Sequence, residues 1–308
     1  MYLLNRKFER IKLVGDILSP LVTAKQSPIY LVGLPRSGTT WITSILSTSP
    51  GIKCLFELFN VEFSPEAKPY IKKYFRREEH HEELALYFRK ILRFNHKEYR
   101  SEYLGRIYKK FPWWPGRIMI KDVHTTMALD WIAQQINPII VIIMRHPCAV
   151  ALSWSHLSSM RIPDLEPNLD KFLQQTKLMA DYLAPFESVM RNARSFWQKT
   201  GALWGASYYV MLEQQKQHPD WIVIQHETLC QDPRQQYREL FDKLNLHWTP
   251  TTDYLLNLST NNNSDDPWIP VRISSREHNK WQKELEREQI NQVKEFVQPF
   301  GIPGYLDF

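Results

Sequence analysis

The feature that most constrains the fold is a short apolar run that leads at once into a glycine-bounded loop and an amphipathic segment. Residues 28–33 read Pro-Ile-Tyr-Leu-Val-Gly, and a run this short between turn formers predicts a buried strand rather than a helix. Residues 39–48 carry apolar side chains at helical spacing and predict a helix. A strand, a tight loop and a helix in this order are typical of an α/β protein with a parallel sheet.

Further apolar runs repeat this pattern along the chain. They predict four more buried strands, at residues 53–56, 117–121, 139–144 and 221–225. Helical stretches lie between most of the strands, and this alternation favours a P-loop-type three-layer α/β fold, with a central parallel β-sheet flanked by helices and with helical insertions. With 308 residues and no repeat or clear boundary, the chain is interpreted as a single domain, residues 1–308.

The segments between the strands differ in length and regularity. We expect a long helical region at 169–217, broken near Pro185 and near Gly201 to Gly205, where helix-breaking residues occur. A polar loop is predicted at 257–270, followed by a helix from about 284 to 297. These segments supply the helical layers on either side of the sheet.

The loop after the first strand has the chemistry of an anion site. Gly33 and Gly38 keep the spacing of a Walker A loop, in which backbone N–H groups and a helix N-terminus cradle phosphate oxygens. Thr39 stands where the Walker lysine belongs, and this disfavours nucleoside triphosphate hydrolysis. The side chains left to hold an anion are those of Arg36, Ser37, Thr39 and Thr40. The simpler alternative is that the hydroxyl groups only cap the helix.

This loop carries a specific family resemblance. It reads Pro35-Arg36-Ser37-Gly38-Thr39-Thr40-Trp41 and resembles the 5′-phosphosulfate loop of the sulfotransferases, which transfer a sulfuryl group from 3′-phosphoadenosine 5′-phosphosulfate (PAPS) and release adenosine 3′,5′-bisphosphate (PAP). The resemblance implies PAPS as the cofactor, held by Arg36, Ser37, Gly38, Thr39, Thr40 and Trp41. Arginine at position 36 is usual in the carbohydrate and many bacterial branches, whereas the cytosolic branch usually has lysine there.

A second resemblance follows the strand at 139–144. In sulfotransferases an arginine at this strand end and a serine eight residues later bind the 3′-phosphate of PAPS, and Arg145 and Ser153 have that spacing. The position agrees with the general rule that open α/β sheets bind ligands at the carboxyl ends of their strands. A structural salt bridge is the alternative role for Arg145. Three aromatic residues either stack on the adenine or pack in a helical core: Trp204, Tyr208 and Tyr209.

The last third of the chain continues the likeness. Residues 226–233 resemble the Tyr-Glu-Asp-Leu and Asp-Pro segment of bacterial sulfotransferases, with His226 in the tyrosine position. Near the end, a segment followed by Trp281 is similar to the family's C-terminal loop, which closes over the nucleotide. The resemblance makes three residues of this loop candidate cofactor ligands: Arg272, Ser274 and Arg276.

Sulfuryl transfer needs a base for the acceptor hydroxyl and positive groups for the charge that develops on the leaving phosphate. Arg36 and Lys121 are the candidate cations, and this chemistry requires no metal. Two bases compete: Glu57 resembles the glutamate base of carbohydrate sulfotransferases, and His124 resembles the Lys-x-His base of the cytosolic branch, one residue further from Lys121. Histidine has the more suitable ordinary pKa, whereas a carboxylate needs burial or a nearby anion. Structural alternatives are a salt bridge from Glu57 to Arg36 and a helix-start cap for His124.

The net charge of +6 is concentrated in one segment, residues 61–117, which has 14 Lys and Arg against 8 Asp and Glu. The same segment holds 13 of the 40 aromatic residues in less than a fifth of the chain. Its ends adjoin Glu57 and Lys121, so we interpret it as a helical insert that forms a wall or lid over the acceptor site rather than a nucleic-acid surface. The alternative is a solvated helical face. The acceptor is expected to be a carbohydrate or another aliphatic alcohol, with lipid, polyketide and phenol left open.

Residues 1–25 predict a basic amphipathic helix, which packs on its own domain, on a membrane surface or on a second copy. Three scattered cysteines, Cys54, Cys148 and Cys230, form no disulfide or zinc pattern, and no apolar run is long enough to be a membrane span, so a cytoplasmic protein is predicted. Two other function classes stay open beside a PAPS-dependent O-sulfotransferase. They are a P-loop nucleotide kinase or NTPase, and a nucleotide-binding protein without catalysis.

Overall fold

The computed structural model describes residues 26–60, 65–92, 117–159, 167–261 and 279–305. Its centre is a five-stranded, wholly parallel sheet in the order β2-β3-β1-β4-β5. The strands are β1 (Ile29–Gly33), β2 (Ile52–Phe56), β3 (Arg117–Asp122), β4 (Ile139–Met144) and β5 (Ile222–Gln225). All five predicted strands are confirmed, with bounds that differ by at most one residue.

Helices cover both faces of the sheet, which confirms the predicted three-layer α/β class. They are α1 (Thr39–Leu46), α2 (Glu82–Leu92), α3 (Leu129–Ile136), α4 (Pro147–Ser159), α5 (Asp170–Leu173), α6 (Thr176–Leu178), α7 (Glu187–Asn192), α8 (Phe196–Gln215), α9 (His226–Gln231), α10 (Pro233–Lys243), α11 (Pro250–Asn261), α12 (Trp281–Glu284) and α13 (Arg287–Val297). Short 3₁₀ turns lie at Pro65–Tyr70, Ala184–Phe186 and Gln298–Phe300, and a π-helical turn lies at Met179–Leu183.

Two cores form because successive side chains of each strand point to opposite faces. In β1, Tyr30 and Val32 enter the larger core, whereas Ile29 and Leu31 enter the smaller one. The larger core packs against α3, α4, α8 and α13, and the smaller one against α1, α10 and α11. The central strands are apolar on both faces because neither face of the sheet meets water.

One expected break in the helical region does not occur. The chain is interrupted near Pro185, as predicted, but α8 runs without a break through residues 201–205. The glycines there serve close helix packing, because a Cβ on Gly201 would lie only 2.6 Å from the backbone oxygen of Val293 in α13. The gain from this contact outweighs the roughly 1 kcal/mol that glycine costs inside a helix.

Three details also differ from the sequence prediction. Residues 257–261, expected in a polar loop, form the last part of α11. The rest of that expected loop, residues 262–270, lies outside the described part of the chain. Arg117, counted with the basic insert, is a buried residue of β3 whose guanidinium donates to the backbone oxygens of Ser27 and Leu244. The helix expected at 284–297 is split into α12 and α13 by an extended residue at Leu285.

Two further predictions lie wholly or partly outside the described residues: the N-terminal helix at 1–25, and residues 61–64 and 93–116, about half of the insert at 61–117. Among the helices that are described, none combines the length and the apolar character needed to cross a membrane.

Gly201→Ala tests the packing of α8 against α13. Alanine normally favours a helix, yet here its methyl group would press on the fixed Val293 oxygen. We expect the free energy of unfolding to fall by about 1–3 kcal/mol, the usual cost of overpacking. Urea denaturation measures this, with Lys199→Ala at an exposed position of the same helix as control. A Gly201→Ala protein at least as stable as the wild type would contradict the packing argument.

Candidate active site

The candidate residues gather at the carboxyl edge of the sheet, where the chain changes direction. After β1 the chain goes to β2 and β3 on one side and then crosses to β4 on the other, so the edge beside β1 is a topological switch point. Open α/β sheets bind ligands at such a point. Glu57 follows β2, Lys121 lies near the end of β3, and Arg145 follows β4.

The loop between β1 and α1 turns through two left-handed residues. Arg36 has φ of 71° and Gly38, which precedes the first residue of α1, has φ of 92°. A non-glycine residue in this conformation costs about 1–2 kcal/mol, so the surrounding structure must hold Arg36 in place. The first turn of α1 contains no acidic residue, which leaves its positive N-terminus available to an anion.

Hydrogen bonds to three successive carbonyl groups hold this loop. The oxygens of Leu34, Pro35 and Arg36 each accept a hydrogen bond from a side chain. The donors are, in the same order, Ser37 Oγ at 2.6 Å, Trp154 Nε1 at 3.0 Å and Arg145 Nη1 at 3.0 Å. These three carbonyl groups are thereby satisfied within the protein.

Three of the predicted phosphate ligands meet in this loop. The Nε atom of Arg36 donates to Ser153 Oγ in α4 at 2.9 Å, and Arg145 reaches the Arg36 carbonyl from the end of β4. All three side chains are half-buried. Sequence spacing predicted two separate subsites, and the structure links them through the Arg36–Ser153 hydrogen bond. Two guanidinium groups and hydroxyl groups at a helix N-terminus suit two anionic groups of one ligand.

The side chain of His226 backs the same loop. A Cβ on Gly38 would lie 2.8 Å from His226 Nε2, so only glycine fits between the loop and this ring. The ring is buried, meets Trp41 edge-on at 5.7 Å and lies with Nδ1 3.5 Å from Cys230 Sγ. His226, which departs from the tyrosine of the family pattern, therefore packs behind the loop.

Several predicted cofactor ligands have buried side chains. Tyr208 is fully buried, and its hydroxyl donates to the Ile143 oxygen at 2.8 Å, so it cannot stack on adenine and the core-packing alternative is correct. Trp204 is likewise fully buried. The Trp41 side chain packs in the smaller core and donates to Ser259 Oγ at 2.9 Å. The Ser37 hydroxyl is engaged with Leu34, as described above.

Glu57 and Lys121 form an ion pair beside this loop. Lys121 Nζ donates to Glu57 Oε1, and its ammonium group lies 4.3 Å from the centre of the Phe56 ring. Burial would raise the pKa of Glu57, but the charge and hydrogen bond of Lys121, with smaller effects of His124 and Asn60, lower it below its ordinary value. The carboxylate is therefore ionised at neutral pH, and its second oxygen receives a 3.4 Å hydrogen bond from Asn60 Nδ2.

His124 lies next to this pair and is held through its backbone. Its N–H donates to Asp122 Oδ1 at 3.3 Å, and its carbonyl oxygen accepts from the Lys72 N–H at 2.7 Å. The Nε2 atom is buried and has no hydrogen-bond partner among the described residues. His124 does not cap a helix start, because α3 begins five residues later at Leu129. The structural alternative for this residue was wrong.

Asp122 organises this turn, a role that sequence reasoning missed. It is fully buried, accepts from Thr125 Oγ1 at 2.8 Å and from the Tyr30 hydroxyl at 3.4 Å, and its pKa is raised by burial. The only feature of the sequence that pointed to Asp122 was its position directly after Lys121. Among the residues that the structure describes, no group of three or more His, Cys, Asp or Glu side chains is arranged to hold a metal ion.

The described part of the basic insert is tied to the body of the protein. Arg76 forms two 2.7 Å hydrogen bonds to the carboxylate of Asp181, which also accepts from the Tyr74 hydroxyl at 2.8 Å. The Glu79 carboxylate forms an ion pair with Lys177, with Nζ and Oε2 2.7 Å apart. These contacts join residues 74–79 to the helical region after α5. Part of the insert's positive charge therefore serves to anchor it.

The predicted C-terminal ligands Arg272, Ser274 and Arg276 lie outside the described residues, but the helix that follows them does not. Trp281, at the start of α12, stacks on the imidazole of His146 with ring centres 4.1 Å apart and an angle of 14°. His146 directly follows Arg145, and its Nδ1 accepts from the Cys148 N–H at 3.2 Å. Burial, with the charge of Arg145, lowers the pKa of His146 from 6.5 to about 3, so the ring is neutral.

This neutral imidazole makes stability depend on pH. The pKa of His146 is lower in the folded chain than in the unfolded one, so between about pH 3 and 6.5 the unfolded chain binds more protons and acid favours unfolding. We expect the free energy of unfolding to fall below pH 6.5, and His146→Phe, which can keep the stack, to reduce that slope by up to about 1.4 kcal/mol per pH unit. Urea titrations from pH 7.5 to 5 measure both slopes, and identical slopes would contradict the assignment.

Several solved structures are similar to this chain. Similar solved structures include the sulfotransferase domain from the curacin biosynthetic pathway, with 15% identity over 87% of this chain and 96% of that chain and a TM-score of 0.47. A mouse sulfotransferase complexed with PAP has 13% identity over 93% and 88% and a TM-score of 0.46. A sulfotransferase from Alicyclobacillus acidocaldarius has 16% identity over 89% and 92% and a TM-score of 0.43.

No curated protein matches the sequence. The family model described as "Sulfotransferase family" matches residues 28–250, from the start of β1 to the start of α11. The match includes the loop after β1, the end of β4 and the segment that begins α9. The chain therefore belongs to the sulfotransferase family.

Proposed function

We propose that this protein is an O-sulfotransferase that uses PAPS and transfers its sulfuryl group to an acceptor hydroxyl by in-line displacement. The observation that carries the proposal is the meeting of Arg36, Arg145 and Ser153 around one loop at the carboxyl edge of the sheet. Membership of the sulfotransferase family supports the reaction class. The donor set fits the cofactor, because PAPS carries anionic groups at both its 5′ and 3′ ends.

We assign the two ends of the cofactor to different residues of this cluster. The loop N–H groups, the N-terminus of α1 and the guanidinium of Arg36 would hold the 5′-phosphosulfate, and Arg145 and Ser153 would hold the 3′-phosphate. Thr39 and Thr40 offer hydroxyl groups in the first turn of the helix. When bound, PAPS supplies the sulfuryl group and a phosphate leaving group, and Arg36 and Lys121 would stabilise the charge that develops on that phosphate.

Nucleotide binding tests this assignment without knowledge of the acceptor. We expect calorimetry to show binding of PAP that exceeds binding of ATP with Mg²⁺, because the 3′-phosphate has its own arginine. Arg145→Ala and Arg36→Ala should each weaken PAP binding about 10- to 100-fold, the range for a lost hydrogen bond to a charged group. Arg191→Ala, which removes an exposed arginine paired within α7, is the control. Tight ATP binding without PAP binding would favour a P-loop kinase or NTPase instead.

Glu57 is our candidate for the general base. Its carboxylate is ionised and partly exposed, with 20% of the side chain accessible, whereas the Nε2 atom of His124 is buried. The ion pair with Lys121 lowers its proton affinity, which works against this role. An anionic cofactor beside Lys121 would compete for the ammonium group, and nearby negative charge raises the pKa of a carboxylate. Cofactor binding would thereby raise the proton affinity of Glu57.

The acceptor is proposed to be a carbohydrate or another aliphatic alcohol. Support comes from the glutamate base and from the basic, aromatic segment at 61–117, whose described part lies beside His124 through the Lys72–His124 hydrogen bond. An acceptor screen with ³⁵S-labelled PAPS on cell extracts, followed by mass spectrometry of the labelled products, identifies the acceptor. Absence of transfer to every acceptor, together with tight PAP binding, would favour a binding protein without catalysis.

Substitution separates the two candidate bases. With an acceptor from that screen, we expect Glu57→Gln to lower kcat about 10²- to 10⁴-fold, the usual contribution of a general base, without weakening PAP binding, because a carboxylate no longer competes with PAP for Lys121. His124→Asn, the matched variant, should keep most of the turnover. The pH–rate profile is a second measurement, because a carboxylate base places the acid limb well below the neutral range typical of imidazole. A neutral limb that disappears in His124→Asn would instead make His124 the base.

A further inference from the structure

The backbone on either side of the Arg145 side chain is fixed by two hydrogen bonds from different elements. The Arg145 carbonyl oxygen accepts from Trp204 Nε1 of α8 at 2.9 Å. The next N–H, that of His146, donates to Glu227 Oε1 of α9 at 2.8 Å. The Arg145 peptide therefore cannot rotate without breaking one of these bonds, and they restrain the backbone from which its side chain projects toward the Arg36 carbonyl.

The carboxylate of Glu227 links this peptide to the C-terminal segment. Its second oxygen accepts from the Tyr305 hydroxyl at 2.9 Å, and Tyr305 is 3% exposed. Burial and the charge of Glu227 raise the pKa of Tyr305, so the hydroxyl remains a proton donor. The Tyr305 ring meets Trp204 at 5.2 Å and His146 at 5.9 Å, both edge-on. One carboxylate thus joins three segments that are distant in sequence.

The imidazole of His146 closes this cluster. It is sandwiched by its stack on Trp281 and its edge contact with Tyr305, and it is neutral, so it adds no positive charge beside Arg145. Glu227 is then the charged group that connects the Arg145–His146 peptide to the tail. Nothing in the proposed reaction uses Glu227 or Tyr305 directly.

We propose that Glu227 and Tyr305 are positioning residues that aim Arg145 at the 3′-phosphate, so that the C-terminal segment sets the preference for a 3′-phosphorylated nucleotide. This inference rests on the proposed function, in which Arg145 binds that phosphate. If the role were merely structural, substitution of these residues would weaken the binding of all nucleotides alike. If the role is positioning, substitution weakens only the binding of nucleotides with a 3′-phosphate. PAP and AMP differ by that group, so their affinities separate the two roles.

Calorimetric titration of the full-length protein with PAP and with AMP tests the proposal. We expect Glu227→Ala to reduce the PAP-to-AMP affinity ratio about tenfold and Tyr305→Phe, which keeps the ring and removes only the hydroxyl, to reduce it about threefold. Glu227→Gln retains an oxygen for the His146 N–H and should restore most of the ratio. Glu239→Ala, at an exposed glutamate of α10, is the control. If Glu227→Ala does not fold, judged by its thermal unfolding, the Tyr305→Phe ratio decides.

The outcomes distinguish this inference from the function on which it rests. A wild-type protein that binds PAP no better than AMP overturns the proposed function and this inference with it. A wild-type preference for PAP that Tyr305→Phe and the folded Glu227 variants all keep overturns the inference alone. Variants that bind PAP and AMP with equally reduced affinity also overturn the inference, since that result indicates a general structural role.

Discussion

The site depends on the direction of three peptide groups in the loop after β1. Their carbonyl oxygens accept hydrogen bonds from Ser37, Trp154 and Arg145, which lie in the loop itself, in α4 and at the end of β4. The left-handed conformation of Arg36 costs about 1–2 kcal/mol, and each of these bonds returns about 0.5–1.5 kcal/mol, so together they can hold it. The loop is thus shaped by the same strand end that carries the second arginine. An anion bound between Arg36 and Arg145 would relieve the electrostatic repulsion between their two guanidinium groups.

Sequence reasoning reached the sheet and the loop because both depend on local patterns. The apolar runs of β1 and β4 are too short for helices, and Gly38 marks a left-handed turn that few other residues can adopt. It failed where tertiary contact overrides propensity: α8 continues through residues 201–205, where Gly201 packs against the Val293 oxygen of α13 and Gly205 packs against the Phe300 ring. It also could not find Glu227 or Trp154 as supports, since their partners are defined only by the fold.

The pair of Glu57 and Lys121 shows how burial and charge oppose each other at the proposed reaction centre. Burial alone would raise the pKa of Glu57 toward the range of a useful base, and Lys121 more than cancels that effect. Lys121 itself is 3% exposed, so it depends on the carboxylate as its counter-ion. The ion pair therefore stabilises two charged groups at this edge of the sheet. In the proposed mechanism, an arriving anionic cofactor would change this balance for both groups at once.

The positive charges of the basic segment at 61–117 differ in their surroundings, and the sequence alone could not separate them. Charge counting treats all its lysines and arginines alike, but Arg117 is a buried part of β3 and Arg76 is bound to Asp181 through both of its paired nitrogens. These positive charges are neutralised or enclosed by the protein and cannot attract a ligand. The same anchoring holds the Lys72–Tyr74 turn, where Gln175 accepts from the Tyr74 N–H at 2.8 Å and donates to the Lys72 oxygen at 2.9 Å. Since Lys72 in turn donates to the His124 carbonyl, this part of the insert is held against the turn that follows β3, beside one of the two candidate bases.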